Sequence, residues 1–209
     1  MSTVLVLTSS ALGAASVSSQ LVQDAIALLR PHDRHLRVIT RDLGSNPIPH
    51  LTIESATALR GAEPANAAQA AARVLSDELI AELKAADILV VGAPMYNFGI
   101  ASTLKTRFDH VLRAGITFKY SGSGPVGLLE GKRAIVVESR GGLYSEGPAK
   151  VMDSQEPHLR SLLGFMGITN VMFVHVEKLA FGPEARETAI DAARARLAEV
   201  IQKDFFEAA

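Results

Sequence analysis

Residues 87–93, DILVVGA, run directly into residues 94–108, PMYNFGIASTLKTRF. The first stretch is short and aliphatic on both faces, which predicts a buried parallel strand over Ile88-Leu89-Val90-Val91-Gly92. Leu104, Phe108, Val111 and Leu112 then recur at helical spacing and predict a helix over 102–113, ended by Gly115. A two-faced strand feeding a helix is half of a βαβ unit. Pro94 is read as halting the strand. The segment Met95-Tyr96-Asn97-Phe98 is more than a plain connection needs, and it offers flat apolar faces beside hydrogen-bonding edges.

The same alternation extends in both directions. Apolar runs at 4–7, 35–39, 134–138 and 170–176 predict four more strands, and helical spacing predicts helices over 16–29, 65–85, 155–166 and 183–205. Ser76-Asp77-Glu78 offers a cap that would divide the second of these helices. The expectation is an α/β fold: a doubly wound five-stranded parallel sheet in the order 2-1-3-4-5, with helices on both faces. Residues 1–209 are read as a single domain with an elaborated loop and helix segment over 43–75. In this order a ligand crevice lies beyond the ends of strands one, three and four.

Those ends carry the unusual segments. The first is SSALGAASVSSQ, with hydroxyls at Ser9, Ser10, Ser16, Ser18 and Ser19 around a predicted helix start. Free N–H groups and a positive dipole end suit a phosphate there. No Lys or Arg lies between Ser9 and Gln20, so such a site would use neutral donors and bind with little dependence on salt. The GxxxxGK[ST] phosphate loop is missing. A GxGxxG match at 122–127 is rejected, because the few residues before the next strand leave no room for the helix that pattern requires. The third end is SRGGLYSEG, whose paired glycines permit either a turn or close approach of a ligand. A serine-rich phosphate loop beside a wall with apolar faces and an amide edge makes FMN the economical ligand.

Totals narrow the alternatives. The 209 residues are 48% apolar with a net charge near −1 and no basic stripe, which argues against a nucleic-acid binder. Cysteine is absent, excluding thiolate chemistry and Cys-based metal sites. MSTVLVLTSS reads as a first strand rather than a leader, and no apolar run reaches the ~18–20 residues of a membrane span. A cytoplasmic protein without a membrane partner is expected. The six histidines show no ligand spacing, so no metal is inferred and most are expected at the surface. Asp109 is placed to pair with Arg113 across one helical turn. Arg60 and Tyr120 lie in loops that either border a substrate pocket or serve as ordinary surface.

The blocks SS…S.S.QL, NPIP at 46–49, SDELIAELKAAD, APMYNFGI…LK..FD, RAGITFKY, SRGG and LGFMGIT follow one another over nearly the whole chain. In this order and spacing they resemble the FMN-dependent NADH:quinone oxidoreductases, or NADH-azoreductases, of the flavodoxin-like fold. The resemblance implies FMN as bound cofactor and NADH or NADPH as electron donor. It implies quinone and azo substrates, and a homodimer with active sites at the interface. Carried over by position, Ser10, Ser16, Val17 and Ser18 would meet the phosphate, Val17 through its backbone. Met95, Tyr96, Asn97 and Phe98 would meet the isoalloxazine, with Ser139 and Gly142 opposite. Family members often carry a polar residue where Val17 stands. No catalytic side chain is expected, since the flavin N5 carries the hydride.

Three rival readings remain. A non-enzymatic flavodoxin-like electron carrier shares the fold, but such carriers are usually strongly acidic, and NADH oxidation by the pure protein would separate the two. A phosphoacceptor receiver domain needs acidic residues where Ser9-Ser10 and Pro94 stand. A pure interaction domain would leave three unusual loops at one edge unexplained.

Overall fold

In the computed structural model, residues 2–61 and 63–206 are described, the last three by backbone alone. The elements are β1 (Thr3–Thr8), α1 (Val17–Leu29), β2 (Arg37–Asp42), α2 (Ile53–Leu59), α3 (Ala67–Ala85), β3 (Ile88–Tyr96), β4 (Gly99–Ile100) and α4 (Ser102–Val111). There follow β5 (Phe118–Ser121), β6 (Gly124–Gly127), β7 (Arg133–Ser139), α5 (Gln155–Phe165), β8 (Asn170–Val176) and α6 (Pro183–Phe206). The main sheet runs β2-β1-β3-β7-β8, all parallel along that path.

Alternation along each strand makes the two cores. Val4 and Val6 of β1 point to one face, where Leu21, Val22 and Ile26 of α1 meet Leu197 and Ile201 of α6. Leu5 and Leu7 point to the other, against Leu79 and Leu83 of α3, Leu104 and Phe108 of α4, and Leu159 and Leu163 of α5. This is the doubly wound parallel arrangement expected.

The strand count differs from expectation, while the five strands read from the sequence lie in the expected order as β2-β1-β3-β7-β8. The sheet has six strands, because the two-residue β4 pairs antiparallel with the extended end of β3. Pro94 does not halt β3: it pairs with Ser139 of β7, and Met95 and Tyr96 continue to Ile100 and Gly99. Pairing of β3 with β1 has already ended at Gly92, so Pro94 sits where the ladder closes on only one side, a position open to a residue without a donor. A separate ribbon, β5-β6, stands between α4 and β7. It contains the GxGxxG match, in a hairpin with no helix after it. Gly127 is needed there because a Cβ would run into the Gly167 backbone.

Other expectations are corrected locally. The second strand begins at Arg37 rather than at 35. Within the segment read as irregular, α2 is capped by Thr52 and Ser55 in a reciprocal box. The helix α3 is undivided: Ser76 is fully buried and donates to the His110 carbonyl at 2.6 Å instead of capping. Asp109 pairs with Lys105, while Arg113 reaches Asp77, so the expected Asp109–Arg113 pair is absent. His110 is buried, with Nε2 3.0 Å from the Pro49 carbonyl, rather than at the surface.

Candidate active site

Because β1, β3 and β7 are parallel, their carboxyl ends share one edge. The order in which strands are added across the sheet reverses between β1 and β3, which opens a crevice at that edge. The start of α1 forms its floor. Ser16 caps the helix, its Oγ accepting the Ser19 N–H at 3.2 Å, and the Ser18 Oγ lies 3.2 Å from the same oxygen. Ser10, Ser16, Val17 and Ser18 are all buried. The Gln20 N–H is taken by the Ser16 carbonyl, so helix geometry leaves the N–H groups of Val17 and Ser18 for a ligand. Ser9 turns away and donates to the Gly92 carbonyl at 2.9 Å. Gly44 supports the loop from behind, since a Cβ there would collide with the Ser10 carbonyl.

The wall is a tight hairpin. Tyr96 and Gly99 pair across a two-residue turn, and both turn residues have positive φ, Asn97 at 48° and Phe98 at 72°. Asn adopts that conformation readily, whereas a phenylalanine there is strained. The turn projects the Phe98 ring outward, edge-on to Tyr144 at 6.0 Å between centroids. The Tyr96 hydroxyl reaches the loop after β1, accepting the Ala11 N–H at 2.9 Å and lying 3.4 Å from the Ser10 Oγ. Wall and phosphate loop are thereby held together.

The opposite side is organised by Arg140, a buried residue to which sequence reasoning gave no role. Its guanidinium meets Glu138 at 2.7 Å, Asp153 at 2.9 Å and Glu177 at 3.1 Å. Gln155 accepts from its Nε at 3.0 Å and donates to the Ala93 carbonyl at 2.8 Å, tying this cluster to β3. Glu177 also accepts the N–H groups of Tyr144 and Ser145, at 2.8 and 2.9 Å. Burial pushes the Glu138 carboxyl up, against the pull of His175 and Arg140. The hydrogen bond to Glu138 holds His175 above its ordinary value despite burial, and Glu156 adds to this. Ligand atoms of Glu138, Glu156 and His175 lie within 4.8 Å of one another, but Arg140 and Arg160 already neutralise the two carboxylates.

A cavity of about 420 Å³ joins these parts, lined by Ser10, Ser16 and Val17 from the first loop and α1, by Met95, Tyr96, Ser139 and Gly141 from the ends of β3 and β7, and by Arg186 from α6. A smaller space of about 190 Å³ adjoins it under Met95, Asn97, Phe98 and Gly141. Ser18 lies beneath the floor. Gly142 is one residue past the lining, its carbonyl accepting the Lys178 N–H at 2.8 Å; Gly141 takes the lining position. Arg60 and Tyr120 line neither space. Arg186 was missed, and its only signal is a cation in the first turn of the last helix.

The arrangement suits FMN on its own chemistry. Buried hydroxyls and free helix N–H groups stand at one end, and an apolar wall with amide edges stands at the other. The volume lies in the range of small-molecule pockets, ~300–1,000 Å³.

Residues 2–201 match the family model described as flavodoxin-like fold. The chain is 54% identical over 202 residues to the FMN-dependent NADH:quinone oxidoreductase of Hyphomonas neptunium, covering 97% of each chain. It is 48% identical to FMN-dependent NADH:quinone oxidoreductase 2 of Pseudomonas fluorescens, covering 96% of this chain and 100% of the other. Among solved structures, an azoreductase from Bacillus anthracis superposes with a TM-score of 0.89 at 30% identity, covering 97% of this chain and 100% of that one.

Proposed function

The chain belongs to the flavodoxin-like family of FMN-dependent NADH:quinone oxidoreductases, and from that premise we propose what its own residues do in the reaction. The protein is an FMN-dependent enzyme that uses NADH to reduce quinones and azo compounds. When bound, FMN would supply the redox chemistry, carrying a hydride equivalent, two electrons with a proton, from NADH to the acceptor.

Ser16 and the N–H groups of Val17 and Ser18 hold the phosphate, with Ser10 beside them and the Ser18 Oγ steadying the Ser16 Oγ at 3.2 Å. Met95, Tyr96, Asn97 and Phe98 hold one side of the isoalloxazine. Ser139 and the glycine pair Gly141-Gly142 close the other. The Tyr96 hydroxyl fixes the distance between the two ends through Ala11. Phe98 and Met95 keep water from the stacking face. The chain works as one unit and as a homodimer whose partner completes the open side. This reading is supported by the exposed apolar residues Leu12, Phe98, Val151 and Met152, with the segment that carries the last two tied to the wall where the Ser154 N–H donates to the Phe98 carbonyl at 3.0 Å. Among the described residues no helix is long and apolar enough to cross a membrane. We place the enzyme in the cytoplasm, with no membrane or nucleic-acid partner.

The observation that carries the reading is the single cavity shared by the buried serines of α1 and the β3-β4 wall. One stacking face serves both substrates, so NADH must leave before the acceptor enters. Double-reciprocal plots of NADH oxidation at several fixed quinone concentrations are expected to be parallel. Intersecting lines would show both substrates bound at once and would sink this arrangement.

A further inference from the structure

We propose that Arg186 is the cation that pairs with the FMN phosphate, an assignment that rests on the FMN reading above. The sequence stretch around Ser16 lacks any Lys or Arg and by itself points to a site built from neutral donors alone. The fold changes that. Arg186 comes from 170 positions further along the chain than Ser16, and it lines the same cavity as Ser10, Ser16 and Val17.

Three observations single it out. Arg186 is half-buried, and no ion pair or side-chain hydrogen bond engages its guanidinium among the described residues. Arg140, the other cation in the lining, is already committed to Glu138, Asp153 and Glu177. Arg186 also stands in the first turn of α6, with its N–H bonded to the Gly182 carbonyl at 3.0 Å. A cation at the positive end of a helix is placed against the dipole and contributes nothing to the helix itself. An anion in the cavity would relieve both the missing counter-charge and the dipole conflict. A phosphate monoester carries nearly two negative charges near neutral pH, and neutral donors alone leave that charge uncompensated in a partly dry site. The planar guanidinium fork suits phosphate oxygens.

The test uses the full-length apoprotein and two probes that differ only in the phosphate, FMN and riboflavin. Binding is read from quenching of flavin fluorescence, at low and at moderate salt. Arg186→Gln is expected to weaken FMN about 10- to 100-fold at low salt. Riboflavin affinity should stay within about twofold of wild type, since it lacks the interacting group. Wild-type FMN affinity should fall several-fold as salt rises, and the Gln variant should lose much of that dependence. Arg186→Lys should recover part of the FMN affinity, as a point charge does without the fork. The melting temperature of the apo variant should hold or rise, because a cation leaves the helix start, while the upward shift caused by FMN should shrink. Unchanged FMN affinity in Arg186→Gln would overturn the assignment. Equal loss of FMN and riboflavin would also overturn it, by showing that Arg186 acts through packing. A wild-type protein that binds neither flavin would instead remove the FMN reading on which the assignment rests.

Discussion

Ser16 and Ser18 face each other across 3.2 Å at the buried start of α1, with no charged group between Ser9 and Gln20. A hydrogen bond to a charged group is worth about 1.5–3 kcal/mol. Replacing both serines by alanine should therefore weaken FMN at least 10-fold, and titration with riboflavin should show a much smaller change. Equal losses for the two flavins would remove the phosphate assignment. Arg140 makes a different prediction. Replacing it by leucine strands Glu138, Asp153 and Glu177 without their shared cation, which should cost about 3–5 kcal/mol in urea unfolding. A loss below about 1 kcal/mol would show that these acids do not need it. The serines were legible in the sequence because a hydroxyl cluster and a helix start are both local. Arg140 and Arg186 were not, because their partners and their cavity are brought together only by the parallel sheet.

At the scale of elements, the β3-β4 hairpin concentrates strain where the wall is built. Phe98 has a φ of 72°, which costs a side-chain-bearing residue about 1–2 kcal/mol. Phe98→Ala and Phe98→Gly lose the same ring contact with Tyr144. The glycine variant should nevertheless be the more stable by about 1 kcal/mol, or roughly 2–4 °C in melting temperature, since it alone escapes the strain. Equal melting temperatures would show an unstrained turn. The contact among β7, α5 and β8 carries a pH dependence. His175 bonds Glu156 at 2.7 Å and Glu138 at 3.2 Å, and the Glu138 bond leads in holding its pKa above the ordinary value. The folded state thus keeps a proton that the unfolded chain releases. This contribution to stability is fully present below about pH 6.5 and is lost as pH rises through the higher folded value. Unfolding free energies measured from pH 6 to 9 should fall with pH, and His175→Gln should flatten that fall. An equally steep fall in the variant would assign it elsewhere. The long βα units were readable from periodicity alone. The hairpin was not, because Pro94 signals a stop and a two-residue strand has no period. The helix α2 carries a readable signal in Thr52 and Ser55, inside a stretch whose prolines and glycines mask its period.

At the scale of the whole molecule, the doubly wound layering followed from strands that are apolar on both faces, whereas the sixth strand and the β5-β6 ribbon depend on short pairings without a sequence period. The exposed Val151 and Met152 should be covered in solution by a second copy. Val151→Glu with Met152→Glu should shift the protein from dimer to monomer in sedimentation and lower FMN retention with it; an unchanged dimer would place the interface on another face. We propose that NADH and the acceptor are served in turn by one flavin held between α1 and the β3-β4 wall. The most direct measurement is the absorbance of the FMN-loaded protein under anaerobic conditions, first with NADH alone and then with a quinone added after the NADH is spent. NADH alone should bleach the flavin bands completely, and the quinone should restore them. Bands that stay oxidised with NADH until a separate reductase is supplied would contradict it.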